Sequence, residues 1–239
     1  MPGPEIMRIV TWNCHHGESR ASVSELDRLG ADISVLQECS APASTDDQCV
    51  YFKKTSRQGV CVSAKGPWRI EAVPCSEHVL DSAYPVAISG PRSFHMLAIW
   101  AQKSPGYVRA ILNALDHYGD FLRSAPSVIV GDFNSNPIWD HGNRATNHTA
   151  LSKRLGDEFG LISAFHGHVA PDGRPESPTY FHQWDEARPY HLDYCFIPKS
   201  WLPNVRSVEI GTYSEWAGRS DHRPLVVELA FGEIHQVLT

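Results

Sequence analysis

Short apolar runs separated by polar turns recur along most of the chain and predict many strands. Runs rich in β-branched and aromatic residues are typical of strands. They lie at residues 8–12, 31–38, 50–54, 59–63, 68–73, 84–89, 94–100, 128–130, 161–166, 179–182, 190–197, 205–210 and 224–231. Between residues 50 and 101 turn residues such as Gly-Pro separate several runs, so antiparallel hairpins are expected there.

Three segments have the apolar spacing of amphipathic helices. Residues 22–29 place leucines on one face, with Ser22 as a candidate N-cap and Gly30 as the stop. Residues 106–122 carry a long apolar stripe, and residues 146–159 form a shorter one. Strands and helices in this order predict mixed sheets covered by helices, an α/β or α+β class.

Length and composition favour a single domain spanning residues 1–239. The chain is 42% hydrophobic and contains no low-complexity linker. It has neither a signal-peptide pattern nor an apolar run of about 18 residues, so no membrane insertion is expected. The six cysteines form no CxxC pair and are scattered along the chain, which is typical of proteins in a reducing compartment. We therefore expect a cytoplasmic protein, and no obligate protein partner is evident.

The charge balance argues against a broad surface for nonspecific nucleic-acid binding. The formal net charge is −6, with 21 basic and 27 acidic residues, and the pI is near 6.1. Tight nonspecific binding depends on many phosphate contacts from cations. A local groove is still compatible with this charge, because a bound cation offsets clustered carboxylates.

Polar side chains follow directly on the apolar run at residues 128–130. Gly131 permits a bend or a close backbone approach, and Asp132 and Asn134 project from the same side of an extended chain. An acid and an amide in this position suit the binding of a metal, a water or a phosphate oxygen. The alternative is an Asx-type turn in which both side chains only cap backbone groups.

Other predicted strands also end in polar residues. They are Asn13, Glu38, Asp193, and Asp221 with His222. Carboxylates and amides are the oxygen ligands that a hard divalent cation takes, and a histidine oriented by Asp193 suits proton transfer. Each residue alone also fits a structural role, as an exposed or capping group at a strand end.

Two further residues are candidates for substrate contact. Trp139 could stack on a base or sugar, or it could pack at the base of a loop. Arg219, together with Arg223, could clamp a phosphate, or both could be surface residues beside the last strand. The histidines His15 and His16 follow Asn13 and could line the mouth of the site or remain solvated.

Five motifs in order resemble those of the endonuclease/exonuclease/phosphatase superfamily of metal-dependent phosphoesterases. They are Thr-Trp-Asn13, Leu-Gln-Glu38, Gly-Asp-Phe-Asn134, His-Leu-Asp-Tyr194 and Ser-Asp-His222. The motifs span essentially the whole chain. The resemblance implies a four-layer α/β sandwich in which two mixed sheets lie face to face between helices, with the active site at one edge of both sheets.

The resemblance also implies a role for each motif. Glu38 would be the main ligand of Mg²⁺, with Mn²⁺ as a substitute, and Asn13 and Asp221 would complete or support the metal site. Asp132 would hold or deprotonate the attacking water, or bind a second metal. Asn134 would bind the phosphate or orient Asp132.

The remaining catalytic group would be a histidine. His222, oriented by Asp193, would act as general base or stabilise the transition state. The residues do not decide whether Asp132 or His222 takes the proton.

One departure from the family pattern concerns the leaving group. Many relatives carry a catalytic histidine or tyrosine near the end of the strand before the long helix, whereas this strand ends Ala-Ile-Trp-Ala-Gln102. Protonation would then fall to a metal-bound water, to Tyr107 or to His191. A leaving group that needs little help would also explain the departure.

These expectations describe a metal-dependent hydrolase of phosphodiesters, and most of all a nuclease, exo- or endonucleolytic, acting on nucleic acid. The alternative is the same chemistry on a small or lipid-linked phosphoester. A catalytically inactive binding domain on the same fold is the third hypothesis, and it is disfavoured because every acid, amide and histidine position is filled.

Overall fold

The computed structural model describes residues 5–17, 19–74, 82–142 and 145–232. Its strands in chain order are β1 (Glu5–Asn13), β2 (Ile33–Cys39), β3 (Cys49–Lys53), β4 (Gly59–Ala64), β5 (Arg69–Ala72), β6 (Ala83–Ser89), β7 (Phe94–Trp100), β8 (Ser127–Asp132), β9 (Leu161–Ser163), β10 (Tyr180–Phe181), β11 (Pro189–Tyr190), β12 (Asp193–Pro198), β13 (Val205–Ile210) and β14 (Leu225–Phe231). The helices are α1 (Ser19–Arg28), α2 (Tyr107–Arg123), α3 (His148–Phe159) and the short α4 (Tyr213–Trp216).

Twelve of these strands form two six-stranded sheets. The first has the order β13-β14-β1-β2-β4-β3 and the second β5-β6-β7-β8-β12-β9, while β10 and β11 form a separate pair. Each large sheet is mixed, because β1 pairs in parallel with β2 and β7 pairs in parallel with β8, and the other pairs are antiparallel.

The main core lies between the two sheets. Val35 and Val227 of the first sheet and Val128 and Met96 of the second belong to one buried cluster with no exposed surface. Burial on this face from both sheets is the hydrophobic contribution that holds the sandwich together.

Helices cover the outer faces of the two sheets. The stripe of α2, including Ile111 and Leu115, packs with Ile129 of β8 in a second buried cluster. On the other side Leu26 of α1 joins a third cluster with Val10 of β1. The predicted four-layer sandwich is thus confirmed. Among the described residues, no helix is long and apolar enough to cross a membrane.

Most predicted elements lie where the pattern places them, but several bounds are wrong. Helix α1 starts at Ser19, so Ser22 lies inside the helix and is not its N-cap. The segment predicted at residues 190–197 is divided, because β11 ends at Tyr190 and β12 begins at Asp193. Residues 161–166 end as a strand at Ser163 and continue into a π-helical turn.

Candidate active site

The strands that carry the polar residues end at one edge of the two sheets. Asn13 is the last residue of β1 in the first sheet, and Asp132 is the last residue of β8 in the second. The Asn13 amide donates a hydrogen bond of 3.0 Å to Oε1 of Glu38 and one of 3.1 Å to Oδ2 of Asp132. One buried side chain therefore joins the two sheets at this edge.

Close backbone contact places Asp132 at the end of its strand. Gly131 has a φ of 142°, and a Cβ atom built on it would lie 2.0 Å from the carbonyl oxygen of Ile99 in the neighbouring strand. Only glycine fits both the backbone angle and the contact. The sequence-based expectation of a close approach at Gly131 thus has a direct physical cause.

Asn134 holds the Asp132 carboxylate on both oxygens. Its backbone N–H donates to Oδ1 at 2.9 Å and its side-chain amide donates to Oδ2 at 2.8 Å. The backbone bond forms the Asx-type turn that the sequence allows as an alternative. The side-chain bond orients the carboxylate of Asp132. Asp132 is completely buried, so these bonds offset part of the cost of its desolvation.

His222 is oriented by Asp193, as the sequence predicts. Its Nδ1 lies 2.9 Å from Oδ2 of Asp193, and both side chains are buried. The Ser220 hydroxyl donates to the carbonyl oxygen of Asn13 at 2.7 Å and accepts from the backbone N–H of His222 at 2.9 Å. The Ser-Asp-His segment is thereby fixed to the end of β1.

The two candidate bases face each other. Nε2 of His222 lies 4.0 Å from Oδ2 of Asp132, which is too long for a direct hydrogen bond. Burial raises the pKa of Asp132, and the nearby His222 opposes that shift. Burial also disfavours the charged ring of His222, but the carboxylates of Asp193 and Asp132 outweigh it and raise the pKa of His222. Protons are therefore held at both groups more firmly than in water.

Glu38 and Asp221 lie on the more open side of the site. Gln58 donates to Oε2 of Glu38 at 3.1 Å. Nδ1 of His15 lies 3.1 Å from Oδ1 of Asp221, and Nε2 of His16 lies 3.7 Å from Oε2 of Glu38. The side chains of Glu38 and Asp221 keep 20% and 13% of their surface exposed. Both histidines thus line the mouth of the site.

Backbone strain in the described residues concentrates around this edge. The non-glycine residues with positive φ are His15, His16, Glu38, Asn134, Gln183 and Trp184. Four of the six belong to the site or its mouth, and Trp184 contacts the ring of His15 at a centroid distance of 5.1 Å. Such conformations cost free energy and persist where the surrounding structure holds them in place.

Two sets of residues offer ligands for a cation. The first set is Asp132, Asp193 and His222, each of which presents a ligand atom within 4.8 Å of the others. Among the described residues, this is the cluster of three or more acidic, histidine or cysteine side chains close enough to share a metal ion. In that set Nδ1 of His222 is already occupied by Asp193. Glu38 and Asp221 form the second set, since Asn13 donates to Glu38 and its carbonyl oxygen accepts from Ser220, the neighbour of Asp221, and both carboxylates are partly exposed. The second set fits a hydrated, oxygen-ligated cation better, because such ions keep part of their water shell.

The structure separates other candidates from the centre. The guanidinium of Arg219 pairs with Glu25 at 3.2 Å and donates to the carbonyl of Glu215, which turns it toward α1 and α4. His191 precedes β12 and its Nδ1 lies 2.7 Å from the carbonyl oxygen of Ser177. His191 therefore lies outside the strand that carries Asp193.

Arg223 has a structural role in the interior of the protein. It is fully buried and donates through one nitrogen to the carbonyl oxygens of Ser220 and His222 at 2.7 and 3.0 Å. Its guanidinium lies over the rings of Phe181 and Tyr213. It supports the backbone of the Ser-Asp-His segment and does not reach solvent as a phosphate clamp would.

Trp139 and Tyr107 lie beside the site and remain accessible. Trp139 is 45% exposed and Tyr107 is 37% exposed, and both line one cavity with Asn134. Packing at the base of a loop would bury most of the indole ring. The structure therefore leaves the stacking role of Trp139 available.

Sequence reasoning missed three supporting residues: Gln58, Thr179 and Tyr180. The Thr179 hydroxyl accepts hydrogen bonds from the backbone N–H groups of Leu192 and Asp193 at 2.9 and 3.0 Å. The Tyr180 ring lies 4.7 Å from that of His222. Each contact joins residues distant in sequence, and no local pattern marks it.

Replacing Thr179 with valine is expected to destabilise the protein by about 2 kcal/mol, because two buried N–H groups lose their acceptor. Urea unfolding measures the change. The control is Thr55→Val, since the exposed Thr55 hydroxyl also accepts from two backbone N–H groups, where water can replace it. Equal losses of stability in the two variants would contradict the positioning of Asp193 by Thr179.

Two mixed sheets with an acid, amide and histidine site across their shared edge define a sandwich of the phosphoesterase type. The model of the Endonuclease/Exonuclease/phosphatase family matches residues 10–222. The chain therefore belongs to this family, whose members are phosphoesterase hydrolases.

Solved structures show the same fold. The endonuclease domain of TRAS1, a telomere-specific non-LTR retrotransposon, is similar with a TM-score of 0.67 and 15% identity, over 95% of this chain and 100% of that one. The 3'-5' exonuclease NExo from Neisseria meningitidis is similar with a TM-score of 0.67 and 18% identity, over 93% and 99%. Another structure is a variant of the 3' phosphatase NExo from Neisseria bound to a product DNA hairpin, with a TM-score of 0.67 and 17% identity, over 93% and 99%. A comparison with curated proteins gives no significant match.

Proposed function

We propose that this protein is a divalent-metal-dependent phosphodiesterase that cleaves nucleic acid. The observation that carries the proposal is the meeting of Glu38, Asp132 and His222 at one edge, where Asn13 joins Glu38 to Asp132 and Nε2 of His222 lies 4.0 Å from Asp132. This set supplies cation ligands, a carboxylate for the attacking water and an oriented imidazole.

The donor set fits a hard cation. Glu38 and Asp221, with Asn13 in support, offer oxygen ligands of the kind that Mg²⁺ prefers, and Mn²⁺ accepts the same set. When bound, the cation supplies Lewis-acid polarisation and charge neutralisation at the scissile phosphate. Gln58 and Asn13 each donate to one oxygen of Glu38 and so fix the orientation of its carboxylate.

Asp132 and His222 share the handling of the proton. Asp132, held on both oxygens by Asn134, can accept a hydrogen bond from the attacking water in a fixed direction. His222 presents Nε2 toward the same place because Asp193 holds Nδ1. With its raised pKa the imidazole carries positive charge near the phosphate and stabilises the charge that develops there. Asn134 in this scheme orients Asp132, because its side-chain nitrogen donates to Oδ2 of Asp132 and, at 3.3 Å, to the carbonyl oxygen of Ala101.

Exposed aromatic rings near the mouth support a polynucleotide substrate. Among the described residues, the large hydrophobic side chains that remain exposed are Ile6, Tyr107, Ile138, Trp139 and Trp184. Tyr107 and Trp139 line the cavity beside Asn134, and Trp184 contacts His15 on the other side. Bases stack on such rings irrespective of sequence. The NExo structure that contains a product DNA hairpin is consistent with this substrate class.

A panel of substrates tests the proposal. Purified protein with Mg²⁺ is incubated with single- and double-stranded DNA, RNA, an abasic duplex and soluble phosphoesters, with a chelated sample as control. We expect cleavage of at least one polynucleotide and loss of cleavage on chelation. Intact polynucleotides together with turnover of a small phosphoester would establish the small-substrate alternative. Inert substrates throughout would favour the inactive binding domain.

Replacing Glu38 with glutamine is expected to weaken Mg²⁺ and Mn²⁺ binding about 10-fold or more, since losing even a supporting contact of a metal site has effects of this size. Isothermal titration calorimetry measures the affinity without requiring turnover. The matched control is Glu71→Gln, at an exposed glutamate of β5. Unchanged affinity in Glu38→Gln would remove Glu38 from the metal site.

A further inference from the structure

A cavity of about 360 Å³ opens directly beside Asn134. It lies between the first turn of α2 and the 3-10 turn Pro137–Trp139 that follows the Asp132 to Asn134 segment. A substrate whose scissile phosphate lies beside Asp132 and Asn134 would therefore place its next group in this cavity.

Two exposed rings form the aromatic part of the lining. Tyr107 stands on α2 and Trp139 on the 3-10 turn. Trp139 rests against the ring of Tyr190 at a centroid distance of 5.0 Å, and Tyr190 is stacked with Tyr180 at 6.4 Å. Tyr180 in turn lies 4.7 Å from the ring of His222. A continuous row of rings thus leads from the candidate base to the accessible indole.

The same cavity is lined by one arginine, Arg109, and one carboxylate, Asp140. The Asp140 carboxylate accepts hydrogen bonds from the backbone N–H groups of His148 and Thr149 and from the Thr149 hydroxyl. Arg109 is exposed. Within residues 5–17, 19–74, 82–142 and 145–232, no carboxylate pairs with Arg109. The first turn of α2 contains no acidic residue, and Gly106 as N-cap supplies no capping side chain. In a chain of net charge −6, this is an attractive place for a phosphate group.

We propose that this cavity binds the nucleotide next to the scissile phosphate, with its base stacked on Trp139 and its own phosphate paired with Arg109. The inference rests on the proposed function and deepens it. A base can stack on Trp139 only when it has left its own neighbour in the helix, so the preferred substrate is an unpaired strand or a frayed end.

A direct binding measurement tests the stacking. A short single-stranded oligonucleotide with 2-aminopurine beside the cleavage position is titrated into protein carrying His222→Gln, which limits turnover. We expect the fluorescence of 2-aminopurine to fall on binding. Adding Trp139→Ala should abolish the fall in fluorescence and raise Kd about 10-fold, the scale of losing one stacked base. Trp139→Phe should keep most of the fall in fluorescence and most of the affinity. Unaltered quenching in Trp139→Ala would overturn the proposal.

A second measurement tests the phosphate contact. Arg109→Ala should raise Kd for the single strand about 5-fold or more and flatten its dependence on salt, because one phosphate contact is lost. Arg206→Ala, at an exposed arginine of β13, is the control for Arg109→Ala. Ile6→Ala, at an exposed apolar residue of β1, is the control for Trp139→Ala. Equal salt dependence in Arg109→Ala and Arg206→Ala would contradict the role of Arg109.

Kinetics separate this inference from the proposed function. In the unmodified background, Trp139→Ala and Arg109→Ala should lower kcat/KM more for a single-stranded oligonucleotide than for bis(p-nitrophenyl) phosphate, which has no neighbouring nucleotide. Equal losses on the two substrates would overturn the cavity assignment while hydrolysis itself stands. If neither substrate is hydrolysed and His222→Gln changes nothing, the proposed function fails instead, and the fluorescence titration still decides whether the cavity binds a base.

Discussion

Replacing His222 with glutamine is expected to lower phosphodiester hydrolysis by about 10²- to 10⁴-fold, the range that one positioned acid or base contributes. The reason is geometric, because Nε2 of His222 and Oδ2 of Asp132 converge at 4.0 Å and the ring is fixed by Asp193. Glutamine keeps a polar group in the buried site but cannot transfer the proton. Steady-state hydrolysis of the best substrate in the panel measures the effect.

Two further variants test whether the loss of hydrolysis in His222→Gln comes from the oriented imidazole. Asp193→Asn keeps an acceptor for Nδ1 but removes the charge that holds the pKa of His222 up, so a smaller loss than in His222→Gln is expected. His117→Ala, at an exposed histidine of α2, is the matched control and should match the unmodified protein. A hydrolysis rate that survives His222→Gln would refute the site assignment, provided that the melting temperature shows a folded variant.

Replacing Gly131 with alanine is expected to destabilise the protein by about 3 kcal/mol, the scale of backbone strain combined with a steric clash. The added Cβ would lie 2.0 Å from the carbonyl oxygen of Ile99, and the φ of 142° is unfavourable for any side chain. Relief requires β7 and β8 to move apart at the residue that precedes Asp132. Urea unfolding gives the free energy of unfolding.

Two glycines separate the sources of that loss. Gly66 has a φ of 60° with no atom within 4 Å of the added Cβ, so Gly66→Ala reports the cost of a positive φ without a steric clash. Gly218 also has nothing within 4 Å and carries no such strain, so Gly218→Ala should be nearly neutral. If Gly131→Ala unfolds at the same urea concentration as Gly66→Ala, the contact with Ile99 is not the cause.

Local periodicity predicts mixed sheets covered by helices, whereas the four-layer sandwich and the roles of the site residues are implied by the family resemblance. The β-branched runs around Val10 and Ile129 form central strands because each is buried on both faces. Asn13 and Asp132 come together because their strands end at the same edge, which strand direction determines once the two sheets pack face to face.

Contacts between distant segments account for what the sequence could not predict. Gln58 reaches Glu38 only because β2 and β4 pair with an irregular register near Cys39. The sequence leaves Arg219 either at a phosphate or on the surface beside the last strand, and the packing of α1 brings Glu25 within reach of its guanidinium. The start of β12 at Asp193 likewise depends on a distant residue, because the hydroxyl of Thr179 accepts from the backbone N–H groups of Leu192 and Asp193.

The hydrogen bonds of the Asn13 amide have a consequence for folding. They run from the first sheet to Glu38 of the same sheet and to Asp132 of the other. A partly folded chain with only the first sheet formed would carry the proposed cation ligands and His222 but would lack Asp132 and Asp193 of the second sheet. Catalytic competence should therefore appear only when the two sheets dock, which makes enzymatic activity a reporter of the last step of assembly, more specific than secondary structure content.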